Sequence, residues 1–249
     1  MPLEAAVSPV SERVDELNRI YAHHSAASVL EHALRDPLVG RTALLSSFGA
    51  ESVVLLHMVS VIDRTTPVLF LDTEMLFPET LEYQRDVATA LRLTDVRVFG
   101  PDRDLTFVND PNSRLHVTNP DACCAMRKSE PLKRALAPFE AWVTGRKRVQ
   151  GGKRTALRFF EADGENRMKI NPLAHFSHAD IEDYLQNNRL PRHPLVSKGY
   201  ASIGCAPCTT KVAPGEDARA GRWRGLDKSE CGIHLVNGQT VRRFSEART

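Results

Sequence analysis

The stretch Thr42-Ala-Leu-Leu-Ser-Ser-Phe-Gly-Ala-Glu-Ser52 joins an apolar run to a turn of small and polar residues. The run at 42–47 has the length and composition of a buried strand. Residues 48–51 supply the turn, and the apolar residues of 52–61 predict a helix directly after it. A strand, a tight turn and a helix in this order form the repeating unit of α/β proteins.

The same alternation continues along the chain. We predict further strands at 67–71, 96–99, 140–144 and 168–173, with helices at 11–35, 78–93, 121–137 and 177–188. Alternating elements of this kind predict an α/β fold, with a parallel twisted sheet flanked by helices. We expect an N-terminal helical region at 1–40, the α/β domain at 41–190 and an irregular C-terminal segment at 191–249, where periodicity fades.

Composition sets limits on the class of protein. The chain has 249 residues, and a hydrophobic fraction of 42% is enough for an ordinary globular core. A net charge of +2 is too small to indicate nucleic-acid binding, so local clusters of charge matter more than the total. No apolar run reaches the roughly 18 residues of a membrane helix, and no signal peptide pattern opens the chain. We therefore expect a cytoplasmic protein.

Small and polar residues follow two of the predicted strands, at the sheet edge where parallel α/β proteins bind ligands. After the first strand come Ser46, Ser47, Phe48, Gly49 and Glu51, whose turn can present backbone N–H groups to a phosphate. The turn lacks the ending of a Walker A loop, and many similar turns bind nothing. After the second strand, Leu71, Asp72 and Thr73 suit a ribose or adenine edge, or alternatively a helix cap.

Basic residues cluster at two further places. The loop that begins Gly145-Arg146-Lys147-Arg148 and ends at Arg154 carries five cations in ten residues. Its glycines and its position after a strand favour an anion clamp over a solvated face. Arg219 and Arg222 precede a cysteine, where they would favour a thiolate and an anionic substrate, or else be ordinary surface charges.

The five cysteines form two pairs and a single residue. The pairs Cys123/Cys124 and Cys205/Cys208 lie in separate segments, and four thiolates suit an iron-sulfur cluster or zinc. Adjacent cysteines are awkward ligands for one zinc ion, so we favour a 4Fe-4S cluster, one per chain. Lys128, one helical turn past Cys124, would put a positive charge near the cluster or substrate, unless it is a surface lysine. The fifth thiol, Cys231, stands three residues before His234 and is a candidate nucleophile.

Taken together, these motifs resemble the assimilatory adenylyl-sulfate reductases, the iron-sulfur branch of the phosphoadenylyl-sulfate reductase family. The resemblance runs from about residue 44 to 234 and is carried by motifs in the same order as in the family. They are Ser47-Phe-Gly-Ala-Glu51, Leu71-Asp-Thr73, Phe77-Pro-Glu-Thr80, Cys123-Cys-Ala-Met-Arg-Lys128, Trp142-Val-Thr-Gly145, Cys205-Ala-Pro-Cys208, Arg219-Ala-Gly-Arg-Trp223 and Glu230-Cys-Gly-Ile-His234. The resemblance implies an adenine nucleotide alpha-hydrolase-like fold, with 41–190 as a nucleotide-binding domain.

The resemblance also implies a reaction. Adenosine 5′-phosphosulfate would bind across the strand ends, with the basic loop, Lys128, Arg219, Arg222 and His234 around its phosphosulfate. Cys231 would attack sulfur, and thioredoxin or a similar dithiol protein would release sulfite from the Cys S-sulfo adduct.

Two positions depart from the family pattern, and several alternatives remain. Glu74 replaces a usual glycine, and Lys147 replaces a usual arginine. Alternative functions are a 3′-phosphoadenylyl-sulfate reductase, whose members usually lack the paired cysteines, a sulfate-activating adenylyltransferase subunit, and a non-catalytic iron-sulfur or zinc redox sensor. The sequence leaves open whether the protein is a homo-oligomer.

Overall fold

A six-stranded sheet forms the centre of the protein. The computed structural model describes residues 9–37, 39–226, 228 and 230. The strands are β1 (Thr42–Leu45), β2 (Val68–Leu71), β3 (Val96–Phe99), β4 (Ala141–Val143), β5 (Phe160–Ala162) and β6 (Met168–Ile170). They lie in the order β3-β2-β1-β4-β6-β5, and every neighbouring pair is parallel except β5 with β6. The predicted α/β fold with a mostly parallel sheet is confirmed.

Helices precede the first strand and connect the strands that follow. They are α1 (Pro9–Ile20), α2 (Ala26–Arg35), α3 (Ser52–Ile62), α4 (Pro78–Ala90), α5 (Arg103–Asn109), α6 (Leu115–Thr118), α7 (Pro120–Cys124), α8 (Glu130–Leu136) and α9 (His178–Asn187). α3 buries residues around most of its circumference, which explains why its sequence is apolar with little amphipathic pattern. One buried core includes side chains of α1, α2, α3 and α9, and a second lies between α8 and the other side of the sheet.

The strand order places the binding edge at the middle of the sheet. From β1 the chain builds outward through β2 to β3, and then returns to add β4 on the opposite side of β1. The connections that leave β1 and β4 therefore diverge and leave a crevice at the carboxyl ends of these two strands. This is the switch point at which open α/β sheets bind ligands.

Several elements differ from the sequence predictions for local reasons. The helix predicted at 11–35 is two helices, because the chain turns at 21–23 and Ser25 caps α2 through its side chain. The short antiparallel strand β5 was not predicted, since three residues carry too little periodicity. α5 was missed as well, because its seven residues are too few for a clear helical period and each is at least partly exposed.

The cysteine-bearing helix predicted at 121–137 is continuous but irregular. α7 ends at Cys124, a π-helical turn spans Ala125–Ser129, and α8 follows directly. π-Helical turns inside helices often mark functional sites, since they rotate the side chains that follow. Over its described residues, the C-terminal segment contains short 3-10 turns at Val196–Lys198 and Ala206–Cys208 and isolated β-bridges at Cys205 and between Thr209 and Arg222. Over the described residues, no helix has the length and apolar character that crossing a membrane requires.

Candidate functional site

A cavity of about 260 Å³ opens at the carboxyl ends of the central strands. Most of the predicted site residues with described positions line it, namely Ser46, Ser47, Gly49, Glu51, Leu71, Thr73, Lys128, Gly145, Arg146, Lys147, Arg219 and Arg222, together with the cluster candidate Cys205. The residues predicted to bind a ligand therefore line the crevice that the strand pattern predicted.

The turn after β1 is held in shape by its own side chains. The backbone N–H of Gly49 donates to Ser52 Oγ at 3.0 Å, and the N–H of Phe48 donates to Ser46 Oγ at 3.2 Å. A Cβ at Gly49 would lie 3.3 Å from the carbonyl oxygen of Ile203, so a larger residue would crowd the C-terminal segment there. The turn therefore brings backbone close to the cavity wall.

Phe48 has a different place from the one predicted for it. Its backbone φ is +46°, and its ring is fully buried edge-on against Phe70 at 5.2 Å between centroids. It does not line the cavity. The structure shows Phe48 anchoring the turn to the core, while its role in binding stays a prediction.

The strand end after β2 points toward the cysteines. Thr73 is buried and its Oγ1 lies 3.2 Å from Cys205 Sγ. Asp72 does not line the cavity; its Oδ1 instead accepts from the N–H of Glu74 at 2.9 Å. Glu74 itself has φ of +57°, a left-handed conformation that favours glycine, the residue that the resemblance led us to expect there.

Some cations of the basic loop after β4 line the cavity, and Arg148 instead bonds to the surrounding fold. Arg146 bonds Glu161 and donates to Asn171 Oδ1 at 3.0 Å, and burial lowers the pKa of Arg146. Lys147 Nζ lies 2.8 Å from Glu51 Oε2, a single point contact instead of an arginine fork. Arg148 does not line the cavity; its Nε donates to the Leu157 carbonyl at 2.6 Å.

Cationic side chains outnumber carboxylates around the cavity. Among the lining residues are six cations, Lys128, Arg146, Lys147, Arg154, Arg219 and Arg222, and three carboxylates, Glu51, Asp217 and Glu230. Arg154 was predicted only as part of the basic loop, and Glu230 was not among the predicted site residues. The sequence signals for these two site residues were the position of Arg154 in the basic loop and the position of Glu230 next to the candidate nucleophile. This excess of positive charge in a concave site favours an anionic ligand.

The four paired cysteines are all free thiols, and three of them are buried. Burial raises the pKa of the Cys123 thiol to about 11. The neighbouring thiol of Cys124 is the next largest cause, and Cys205 and Cys208 also raise this pKa. The thiols of the two segments are therefore close enough to interact electrostatically. No group of three or more metal-ligating side chains within the described part of the chain has the geometry of a metal site. The chemistry of the donor set, four thiols from two segments, does fit a sulfur-ligated group.

The segment around the cysteines is fixed by a buried arginine. Arg127 lies in the π-helical turn and is 2% exposed. Its Nη2 donates to Asp110 Oδ2 at 3.0 Å, and its Nη1 donates to the Thr73 carbonyl at 3.0 Å. Arg127 was not predicted as a site residue, and it joins the Cys123/Cys124 segment to the strand end that contacts Cys205.

Two predicted catalytic residues, Cys231 and His234, lie outside the described residues. Glu230, the residue before Cys231, lines the cavity and pairs with Arg154 at 2.6 Å. The described part of the site thus includes the residue that directly precedes the candidate nucleophile.

Comparison with known proteins identifies relatives of this chain. The phosphoadenosine phosphosulfate reductase domain model matches residues 41–211. The chain is 49% identical over 226 residues to the adenosine 5′-phosphosulfate reductase of Mesorhizobium japonicum, covering 91% of this chain and 89% of that protein. It is 40% identical to the phosphoadenosine 5′-phosphosulfate reductase of Gloeobacter violaceus, covering 89% and 93% respectively.

A solved structure has the same fold. The phosphoadenylyl-sulfate reductase from Candida auris, crystallised as a phosphate complex, superposes with a TM-score of 0.69 at 28% identity, covering 84% of this chain and all of that one. The fold, the sequence identities and the extent of the matched domain show that the chain belongs to the phosphoadenosine phosphosulfate reductase family.

Proposed function

We propose that this protein reduces adenosine 5′-phosphosulfate to sulfite and AMP in assimilatory sulfate reduction. The observation that carries the proposal is the cavity at the strand ends, where cations outnumber carboxylates beside free cysteines. The Mesorhizobium relative named for this activity supports the choice of substrate. The phosphate in the Candida auris structure supports an anion site in this fold.

The cavity residues suit the parts of such a substrate. Backbone groups of the turn at Ser47 and Gly49 and the strand end at Leu71 and Thr73 would hold the nucleotide. The cations, including Lys128, Arg219 and Arg222, would surround the phosphosulfate and stabilise the charge that develops on the leaving phosphate. His234 is proposed to join them from the C-terminal motif.

The chemistry consists of two substitutions. The Cys231 thiolate attacks the sulfur of the sulfo group, the S–O bond to phosphate breaks, and AMP leaves with that electron pair. A thiolate of reduced thioredoxin, or of a similar dithiol protein, then attacks Cys231 Sγ and releases sulfite. Its second thiol resolves the mixed disulfide, so the dithiol supplies both electrons.

Cys123, Cys124, Cys205 and Cys208 are proposed to hold one 4Fe-4S cluster per chain. Such a cluster would supply a fixed local charge and a covalent link between the two segments that bear the cysteines, without a redox step. Iron and acid-labile sulfide analysis of anaerobically purified protein tests this, with four of each per chain expected. Free thiols of this kind suit the reducing cytoplasm, where we propose the enzyme acts.

The test of function compares two nucleotides. With reduced thioredoxin, we expect sulfite and AMP from adenosine 5′-phosphosulfate and no turnover by Cys231→Ser. A higher kcat/KM for the 3′-phosphorylated nucleotide would instead favour the second candidate, a phosphoadenylyl-sulfate reductase, the name of the Gloeobacter relative. No sulfite from either nucleotide would refute both and favour a redox sensor.

A further inference from the structure

A two-point ion pair fixes Glu230 at the wall of the cavity. Arg154 Nε lies 2.6 Å from Glu230 Oε1, and Arg154 Nη2 lies 2.7 Å from Oε2, so the guanidinium and the carboxylate meet as two forks. Arg219 Nη2 lies 3.6 Å from the same carboxylate. The Arg154 side chain is 9% exposed, which limits the solvent screening of this pair.

Arg154 is itself held by its surroundings. Its Nη1 donates to Gln150 Oε1, and that same oxygen accepts from the backbone N–H of Lys147 at 3.0 Å. The guanidinium is therefore fixed to the loop that follows β4, and through that loop to the centre of the sheet. A carboxylate bound to it has a defined position relative to the cavity.

We propose that Glu230 is a positioning residue that acts through Arg154 on the thiol of Cys231, an inference that rests on the proposed function. Cys231 is the next residue in the chain, one Cα–Cα step of about 3.8 Å from Glu230, so anchoring Glu230 is proposed to limit the positions open to that thiol. Reactions of bound groups depend steeply on such placement, and a displacement of 1 Å costs about a hundredfold in rate.

The same ion pair predicts that substrate binding and the rate of thiol attack respond differently when Glu230 is changed. Glu230 occupies Arg154 and lies near Arg219, two of the six cations around the cavity. Its negative charge also repels an anionic substrate. Neutralising Glu230 should therefore leave substrate binding unchanged or stronger while it slows the attack of the thiol. A residue that only maintained the fold would not separate these two quantities in this way.

The chain offers a matched control. Glu216 pairs with Arg224 through two contacts of 2.8 and 3.0 Å, and its side chain is 28% exposed, against 25% for Glu230. Both glutamates belong to the C-terminal segment, but neither Glu216 nor Arg224 lines the cavity. Glu216→Gln thus removes a two-point ion pair whose glutamate is similarly exposed, though its arginine is 45% exposed, without touching the site.

The experiment measures single-turnover formation of the sulfo adduct against nucleotide concentration, by rapid quench and intact mass. For Glu230→Gln we expect a maximal rate lowered at least tenfold with no rise in the half-saturating concentration, and for Glu216→Gln wild-type values. A maximal rate within twofold of wild type, or a rise in half-saturation alone, would overturn the proposal. A wild-type protein that forms no adduct would instead refute the proposed function.

A second readout needs no substrate. The rate of Cys231 alkylation by iodoacetamide, resolved by peptide mass, should change at least threefold in both Glu230→Gln and Arg154→Lys. Arg154→Lys keeps the charge and loses the two-point contact, so a change there reports geometry and not charge alone. Rates equal to those of the wild type and Glu216→Gln would show that the ion pair does not control the thiol.

Discussion

Replacing Arg127 by methionine should destabilise the protein strongly. The Arg127 and Asp110 side chains are 3% and 2% exposed, so both charges are almost fully removed from water. Burial alone would raise the pKa of Asp110, but the backbone N–H of Leu115 and the Arg127 guanidinium together hold that pKa below its usual value. Arg127→Met would leave a buried carboxylate with one charge partner fewer.

The expected size of the effect follows from this burial. Breaking a buried ion pair by removing one partner costs about 3–5 kcal/mol. For a chain of this length that corresponds to a melting temperature lower by roughly 6 to 20 °C. A second change, Asp110→Asn, removes the stranded charge, so the double variant should lose less than the sum of the two single losses.

The assay is thermal unfolding by circular dichroism under anaerobic conditions at pH 7. The matched control is Arg134→Met, which breaks a two-point contact to Glu130 with the arginine 48% exposed. That variant should lose less than about 1 kcal/mol. If Arg127→Met melted within 2 °C of Arg134→Met, or if the losses at Arg127 and Asp110 were additive, the reasoning about the buried pair would be refuted.

Two other predictions concern close packing and pH. Gly204→Ala should keep the fold but raise the half-saturating substrate concentration roughly tenfold, because its Cβ would overlap the flexible Arg222 guanidinium. Gly221→Ala should instead lower stability by about 2 kcal/mol, since its Cβ meets the backbone carbonyl of Thr210; equal effects of the two changes on binding and melting would contradict this contrast. Burial lowers the pKa of His193 from 6.5 to about 4, so its neutral form contributes stability above pH 6.5 that is lost as the pH falls toward 4. Melting temperatures from pH 7 to 4.5 should fall less steeply in His193→Gln, and an identical slope would refute this assignment.

The position of the site could be predicted from sequence because it depends on topology. Alternating strands and helices fix which residues follow the parallel strands, and Ser47, Thr73 and Gly145 all lie at the predicted edge. Strand alternation carries that information without any knowledge of side-chain direction. The irregular C-terminal segment was likewise predictable, from the loss of periodicity after residue 192.

The direction of individual side chains in turns could not be predicted. Lys147 lines the cavity while its neighbour Arg148 donates to the Leu157 carbonyl, and no periodic pattern distinguishes them in this irregular loop. The Arg154–Glu230 pair joins residues 76 positions apart, so local sequence holds no signal for it. Arg127 looks like any basic residue in a helix until the fold places Asp110 against it.

The central claim is that Cys231 accepts the sulfo group of adenosine 5′-phosphosulfate. The most direct test incubates anaerobically purified protein with this nucleotide, without reductant, and measures its intact mass. A covalent adduct of one SO₃ unit, about 80 Da, is predicted for the wild type and absent from Cys231→Ser. An unchanged wild-type mass, or an adduct that persists in Cys231→Ser, would contradict the account.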